Sequence, residues 1–317
     1  MHVVVIGGGS VGLLLAARLR IGGQSVELVT RSREQAEQIN RDGILLRRLD
    51  GGAEKVMVPA GNIHSPLPSG HVYLLAVKQT DVSNVIPLLR HLPRHARVLA
   101  LQNGMGHHEL LSDALFHDQC FFAINTEGAR RVSPTEVQHT GSGLLRIGPW
   151  DRQDKRDLLI SSFVEKVNDC GIPAVYADEI SSYAWRKLVA NALINPLTAL
   201  FEVPNGTLLD SFSTLQLMRD MFAEAAAVAA SCGQKIHEPH WQEIVTICRN
   251  TSQNYSSMLQ DVWKGKPTEI DSINGFLVRQ GKRAGISTPL HETVLRAILL
   301  KTTVPLLRGR AKDGRIG

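Results

Sequence analysis

Hydrophobic and polar positions divide the chain into two stretches of different period. In the first, short apolar runs alternate with helically spaced segments. Val3 to Ile6, Ser25 to Thr30, Val72 to Val77 and Arg97 to Leu101 read as strands, and near-continuous apolar runs of this length suit strands buried on both faces. LLLAARLRIGG, close behind the first run, reads as a helix. ILLRRLDGGAEKVMVP reads as a β-hairpin turning at Asp50-Gly51-Gly52. Farther along, the pattern predicts a helix near His107 to Leu115 and strands at Cys120 to Thr126, Thr135 to His139 and Gly143 to Gly148. A helix over Asp151 to Cys170 and a strand at Ile172 to Ala177 follow. Strands alternating with helices predict a doubly wound α/β sheet.

From Glu179 to Leu307 the spacing is helical throughout, broken at Pro204-Asn205-Gly206, Cys232-Gly233, Gly265-Lys266-Pro267 and Gly285 to Pro289. Residues 1–178 are therefore assigned to the α/β domain and residues 179–317 to an all-helical one. Leu215 to Ser231 is Ala-rich and apolar enough for a core helix. Trp241 to Trp263 reads as one long helix carrying Asn254, Ser257 and Asp261 on a single face, and such a face is ordinarily the solvated side.

Ser181 to Pro204 carries the strongest chemical signal. At about 100° per residue, Trp185, Leu188, Val189, Ala190, Ala192, Leu193 and Ile194 cover most of the circumference. A helix apolar nearly all round is a buried one. Lys187, Asn191 and Asn195 nevertheless recur every four residues as a narrow polar stripe. Buried ammonium and amide groups are costly unless paired or facing a polar cavity, so the stripe is read as one wall of a small-molecule site.

A second signal lies between the first strand and the first helix, where Gly7-Gly8-Gly9-Ser10-Val11-Gly12 supplies GxGxxG. In that context the pattern marks a dinucleotide site. Gly7 permits the tight turn, Gly9 the approach of a pyrophosphate and Gly12 close helix–strand packing, while the helix N-terminus attracts the phosphate charge. An NAD site would place an acidic residue about 20 residues past the glycines to hold the ribose hydroxyl. Here the second strand runs out into Thr30-Arg31-Ser32-Arg33, with Glu27 too early. A guanidinium suits a 2′-phosphate, so preference for NADPH is expected, with Arg31 rather than Arg33 in that role. Lys78 and Asn103 follow the strands ending at Val77 and Leu101. Ligands of open α/β sheets bind beyond such carboxyl ends, although turn chemistry also places polar residues there.

Composition changes this picture little. At 317 residues with 43% hydrophobic and 21% charged positions, the chain is an ordinary globular protein large enough for two cores. The net charge of +5 is scattered apart from the tail RGRAKDGRIG, so nucleic acid is not implied. No run approaches the roughly 18 apolar residues of a membrane span, and because strand pattern starts at His2 no export signal is expected. Cys120, Cys170, Cys232 and Cys248 lack metal-ligand spacing. They are expected to be buried thiols in a reducing cytoplasm. Pro267-Thr268-Glu269-Ile270-Asp271 reads as a helix start in which Thr268 caps, with Asp271 at the third helical position as in a capping box, and Glu269 complements the dipole.

Taken together, GGGSVG, LLAVKQTDV, LQNGMG, YAWRKLVANALINPLTAL with PNGTL, and NYSSMLQDVWKGKPTEIDSINGF resemble the ketopantoate reductase (2-dehydropantoate 2-reductase) family of pantothenate synthesis. The resemblance spans almost the whole chain. The block Asn125 to Arg131 fits more loosely and receives no role. The resemblance implies a Rossmann-type domain, an all-helical second domain and a cleft between them; closure over the cofactor is a further expectation, since groups from both halves must meet at one carbonyl. It also implies NADPH-dependent reduction of 2-dehydropantoate to (R)-pantoate by a monomer or homodimer. Lys187 is then similar to the family's general acid and Glu269 to the carboxylate that holds the substrate hydroxyl. Asn191, Asn195, Asn254 and Ser257 become substrate contacts. Gly7, Gly8, Gly9, Ser10, Val11, Gly12, Arg31, Lys78 and Asn103 match cofactor positions, and Asn103 also helps to place Lys187. The Lys187 ammonium, on a largely apolar helix, is expected to have a lowered pKa, with Glu269 opposing the shift.

Other readings compete: a related NADP-dependent 2-keto or 3-hydroxy acid dehydrogenase, a non-catalytic NADPH-binding regulator, and, on charge alone, a nucleic-acid binder.

Overall fold

A computed structural model describes residues 1–150 and 156–303. The described chain forms two compact units, one of Met1–Gln102 with His107–Ser181 and one of Asn103–Gly106 with the residues from Ser182 onward. The pattern change at Asp178 lies just before this division. The loop segment Asn103–Gly106, early in the chain, belongs with the helical unit.

The first unit begins with β1 (His2–Ile6), α1 (Ser10–Ile21), β2 (Ser25–Thr30), α2 (Arg33–Asp42), β3 (Ile44–Arg47), β4 (Ala53–Val56), β5 (Ala60–Asn62), β6 (Val72–Leu75), α3 (Val82–Leu89), β7 (Arg97–Ala100) and α4 (His107–Ser112). It continues with β8 (Cys120–Asn125), β9 (Gly128–Ser133), β10 (Glu136–Gly141), β11 (Leu145–Pro149), α5 (Leu158–Asp169) and β12 (Ala174–Tyr176). Of the helix expected from Asp151, the part from Leu158 is observed; residues 151–155, and the basic tail at 308–317, lie outside the described residues.

Among the described residues the main sheet runs β12-β11-β8-β7-β6-β1-β2-β5. It is parallel except where β8 meets β11. Val3 and Val5 pack into one apolar layer and Val4 and Ile6 into the other, so β1 is buried on both faces, as its continuous apolar run requires. The chain passes from β1 to β2 on one side and returns at β6 on the other. The carboxyl ends of β1 and β6 therefore form the switch point where such sheets bind ligands.

A second sheet, β4-β3-β10-β9, was not foreseen. The hairpin expected around Asp50-Gly51-Gly52 is present as β3 and β4, but β10 joins β3 in parallel from far along the chain. β9 falls in the block that received no role, and its register with β10 is interrupted by bulges. Both β9 and β10 pack against α1.

The helical unit contains α6 (Ile180–Phe201), α7 (Phe212–Ser231), α8 (Glu238–Asn250), α9 (Ser257–Trp263), α10 (Ile270–Ala284) and α11 (Pro289–Thr303). The single helix expected over Trp241 to Trp263 is in fact α8 and α9. The interruption occurs where Ser256 takes an extended backbone and its Oγ accepts the Leu259 N–H at 3.2 Å, a side-chain N-cap. Residues 251–256 contain neither Gly nor Pro, so periodicity reads straight through them.

The collar of α6 is buried at every apolar position named from the sequence. Pro196 lies inside this helix and has no N–H for the carbonyl of Ala192. Asn274 of α10, fully buried, donates its amide to that carbonyl at 2.9 Å. The same amide nitrogen lies 2.9 Å from His291 Nδ1, and His291 Nε2 lies 3.0 Å from the carbonyl of Met221. The helix-breaking residue is thus compensated by a polar chain running through α10 and α11 to α7. Burial pushes the His291 pKa down to about 4, so its ring is neutral: Nδ1 accepts and Nε2–H donates.

Burial, expected for every thiol, holds for Cys120 and Cys248; Cys170 is half-buried and Cys232, just past α7, is exposed. Among the described residues no helix is long and apolar enough to cross a membrane.

Candidate functional site

In the first unit, the turn after β1 is shaped by backbone contacts. The Gly7 N–H donates to the carbonyl of Val29 at 2.7 Å and the Ala76 N–H to the carbonyl of Ile6 at 2.8 Å. Gly7 has φ +121°, and a Cβ there would lie 2.7 Å from the backbone of Ala76, so only glycine fits. At Gly12 a Cβ would fall 1.8 Å from the carbonyl oxygen of Gly7, which enforces close approach of helix to turn. Over Gly9 the space is open: its Cβ would meet only the carbonyl of Ala76, at 4.0 Å. Gly9 is the N-cap of α1 and offers no side-chain cap, and the first turn of α1 has no acidic residue. Free N–H groups facing open space, with Ser10 and Val11 next in the helix, suit a phosphate. The residues present therefore fit a dinucleotide.

Two side chains absent from the sequence expectations hold this turn. Gln35 Nε2 donates to the carbonyl of Gly8 at 2.9 Å and to that of Pro134 at 2.8 Å. Arg131 Nη1 donates to the same Gly8 carbonyl at 3.1 Å, and the Arg131 N–H donates to Ser10 Oγ at 3.1 Å. The second sheet therefore fastens directly onto the glycine turn. No local motif could have announced the Arg131 contacts, since those groups lie 121 and 123 positions apart.

Arg31 follows β2 with its side chain 84% exposed and its Nη1 3.9 Å from Asp81 Oδ1. A pair this loose and exposed is worth little. Arg33 pairs with Glu37 at 2.8 Å along α2, the solvated helix-start position. Lys78 is half-buried just past β6. Its loop is held by Gln102 Nε2, which donates to the carbonyls of Leu75 at 2.8 Å and Val77 at 3.0 Å.

In the helical unit, Lys187 and Asn191 are half-buried and Asn195 is 8% exposed. Burial pushes the Lys187 pKa down to about 8, and the charge of Glu269 opposes that shift. Both effects were anticipated from the sequence, with these signs. Glu269, not Thr268, is the N-cap residue of α10, and its side chain makes no capping hydrogen bond. The capping box expected there is therefore absent. The carboxylate instead has Oε2 3.3 Å from Asn103 Nδ2, which donates to it. Asn103 is held in turn by its segment, since the Met105 N–H donates to the carbonyl of Ser272 at 2.8 Å. The structure thus brings Lys187, Glu269 and Asn103 together electrostatically.

Asn254 and Ser257 are exposed on either side of Ser256. Neither side chain is hydrogen-bonded to the stripe among the described residues. The buried link is Ser256 itself: Thr198 Oγ1 donates to its Oγ at 2.7 Å, and its Oγ lies 3.5 Å from the carbonyl of Asn195. This contact ties the start of α9 to the far end of the stripe, and nothing in the local sequence pattern marks it. A cation of lowered pKa beside a carboxylate and amides can deliver a proton to a developing oxyanion.

A family described as Ketopantoate reductase PanE/ApbA matches residues 3–152, and one described as Ketopantoate reductase PanE/ApbA C terminal matches residues 179–302. The Vibrio cholerae protein named 2-dehydropantoate 2-reductase is 32% identical, covering 94% of this chain and 97% of its own. The solved PanE/ApbA family ketopantoate reductase from Ralstonia eutropha has a TM-score of 0.87 at 28% identity, covering 95% of this chain and 98% of that one. D-mandelate dehydrogenase, solved with NADH and anilino(oxo)acetate, reaches a TM-score of 0.89 over 97% of this chain and 100% of its own. Its identity of 23% shows a shared fold alone. The chain belongs to the ketopantoate reductase family of oxidoreductases.

Proposed function

We propose that this chain reduces the ketone of 2-dehydropantoate to the alcohol of (R)-pantoate, with NADPH as the reductant. The observation that carries the reading is Lys187: a cation in the narrow polar stripe of a largely apolar helix, its pKa lowered to about 8 and sensing Glu269. NADPH, when bound, supplies the hydride. Gly9, Ser10, Val11 and the N-terminus of α1 hold its pyrophosphate, Gly7, Gly8 and Gly12 shape the turn, and Arg31 takes the 2′-phosphate; Lys78 and Asn103 act on the cofactor side.

Lys187 Nζ gives its proton to the ketone oxygen as negative charge builds there. A donor with pKa near 8 releases a proton more readily than an ordinary lysine at 10.5. Glu269 accepts a hydrogen bond from the substrate hydroxyl and keeps Lys187 charged before the reaction. Asn103 holds Glu269 in place. Asn191, Asn195 and Ser257, with Asn254 beside it, offer neutral polar groups to the rest of the substrate.

The test is loss of reduced-nicotinamide absorbance on adding 2-dehydropantoate, run with NADPH and NADH for wild type and Lys187→Ala. The variant should lose about 10²–10⁴-fold in kcat while binding NADPH as before. Near wild-type turnover would remove Lys187 from the acid role. A second reading, an NADH-dependent 2-keto acid reductase, draws on Asp81 lying 3.9 Å from Arg31. Faster turnover with NADH, or with another branched 2-keto acid, would favour it.

A further inference from the structure

We infer that Arg131, reaching the glycine turn from the second sheet, is a second specificity-determining residue for the phosphorylated cofactor and shares its 2′-phosphate with Arg31. This rests on the NADPH reading above and adds a residue to it. Arg131 Nη1 donates to the carbonyl of Gly8 at 3.1 Å and Nε donates to the carbonyl of Ser133 at 3.1 Å. Two of its three nitrogens are thus anchored by neutral acceptors. A planar guanidinium fixed at two nitrogens points its remaining N–H groups in one direction.

Its charge is uncompensated. Among the described residues no carboxylate lies within ion-pair distance of Arg131. Partial burial and then the nearby positive charge of Arg31 both push its pKa below the usual arginine value. A guanidinium held beside an uncapped helix N-terminus and sensing the charge of a second, Arg31, is an arrangement stabilised by a shared anion. The chemistry of that anion follows from its charge. A phosphomonoester carries about −1.5 to −2 near neutral pH and matches two cations, whereas the pyrophosphate is already served by backbone N–H groups at Gly9 and beyond. The group that separates NADPH from NADH is such a phosphomonoester.

The competing account is mechanical. Arg131 and Gln35 both grip the Gly8 carbonyl, and in a trans peptide this aims the Gly9 N–H the opposite way. A residue that only holds the turn would serve both cofactors alike.

Dissociation constants for NADPH, NADH, adenosine 2′-monophosphate and adenosine 5′-monophosphate separate the two accounts. They would be measured by calorimetry on the full chain for wild type, Arg131→Met, Arg131→Lys and Arg31→Met. Removing a charge-assisted contact should weaken NADPH and the 2′-monophosphate by about 10–100-fold, with NADH and the 5′-monophosphate changed by less than about threefold. Arg131→Lys keeps the charge without the fork and should fall between, serving as the readout if Arg131→Met does not fold. Equal weakening of both cofactors, or an NADPH/NADH ratio kept at its wild-type value, overturns the inference while leaving the NADPH reading intact. A wild type that binds NADH as tightly as NADPH overturns both.

Discussion

The pH dependence of turnover should be set by Lys187 and tuned by Glu269. Burial moves the lysine from 10.5 to about 8 against the opposing pull of the carboxylate. That displacement corresponds to about 3 kcal/mol between its two protonation states. A general acid works only while protonated. Log kcat should therefore be flat below about pH 8 and fall with unit slope above it. Glu269→Gln removes the charge that favours the ammonium but keeps a group of similar size beside Asn103. An opposite charge at close range is worth about one unit or more, so the break should move to lower pH by at least about that much. The assay is steady-state reduction of 2-dehydropantoate at saturating NADPH across the pH range, with product release excluded by single-turnover measurement. A break that stays in place in Glu269→Gln, or moves upward, would show that Glu269 does not govern the lysine and would refute the reasoning.

Four other outcomes follow from the same physics. Lys187→Met should raise thermal stability while losing activity, because the cost of burying the ammonium is full below about pH 8 and fades as pH rises toward 10.5; a gain that grows with pH over that window would contradict this sign. Asn274→Ala should cost about 1–3 kcal/mol by orphaning the Ala192 carbonyl, and less in a Pro196→Ala background where the new N–H takes that carbonyl; additive losses in denaturant melts would argue against the compensation. Neutral, buried His291 contributes stability that is present above its unfolded pKa near 6.5 and lost as pH falls toward about 4, so acid melts of His291→Gln should lose that slope. Ser256→Ala should cost about 1 kcal/mol as a lost cap and raise KM more than it lowers kcat, checked by paired melts and kinetics.

The two strongest signals in the chain were local, and both survived folding. The glycine turn needs only a strand, six residues and a helix, so spacing alone identifies it. The α6 stripe needs only the helical period, and the sign of the Lys187 shift followed from its apolar neighbours.

What remained hidden is what depends on residues distant in the chain. Asn103 meets Glu269 across 166 positions. The box expected at Thr268 failed because the chain enters α10 one residue later, leaving Glu269 to turn toward Asn103. Ser256, not Asn254 or Ser257, is the buried contact, and it went unmarked because the turn before α9 carries no glycine or proline. Arg131 acquired its place only because β10 pairs with β3, which carries β9 over the start of α1. Period and turn chemistry are properties of neighbouring residues and can be read in order. Which distant polar groups satisfy one another depends on strand order and helix packing, and these minimise buried unpaired charge over the whole fold.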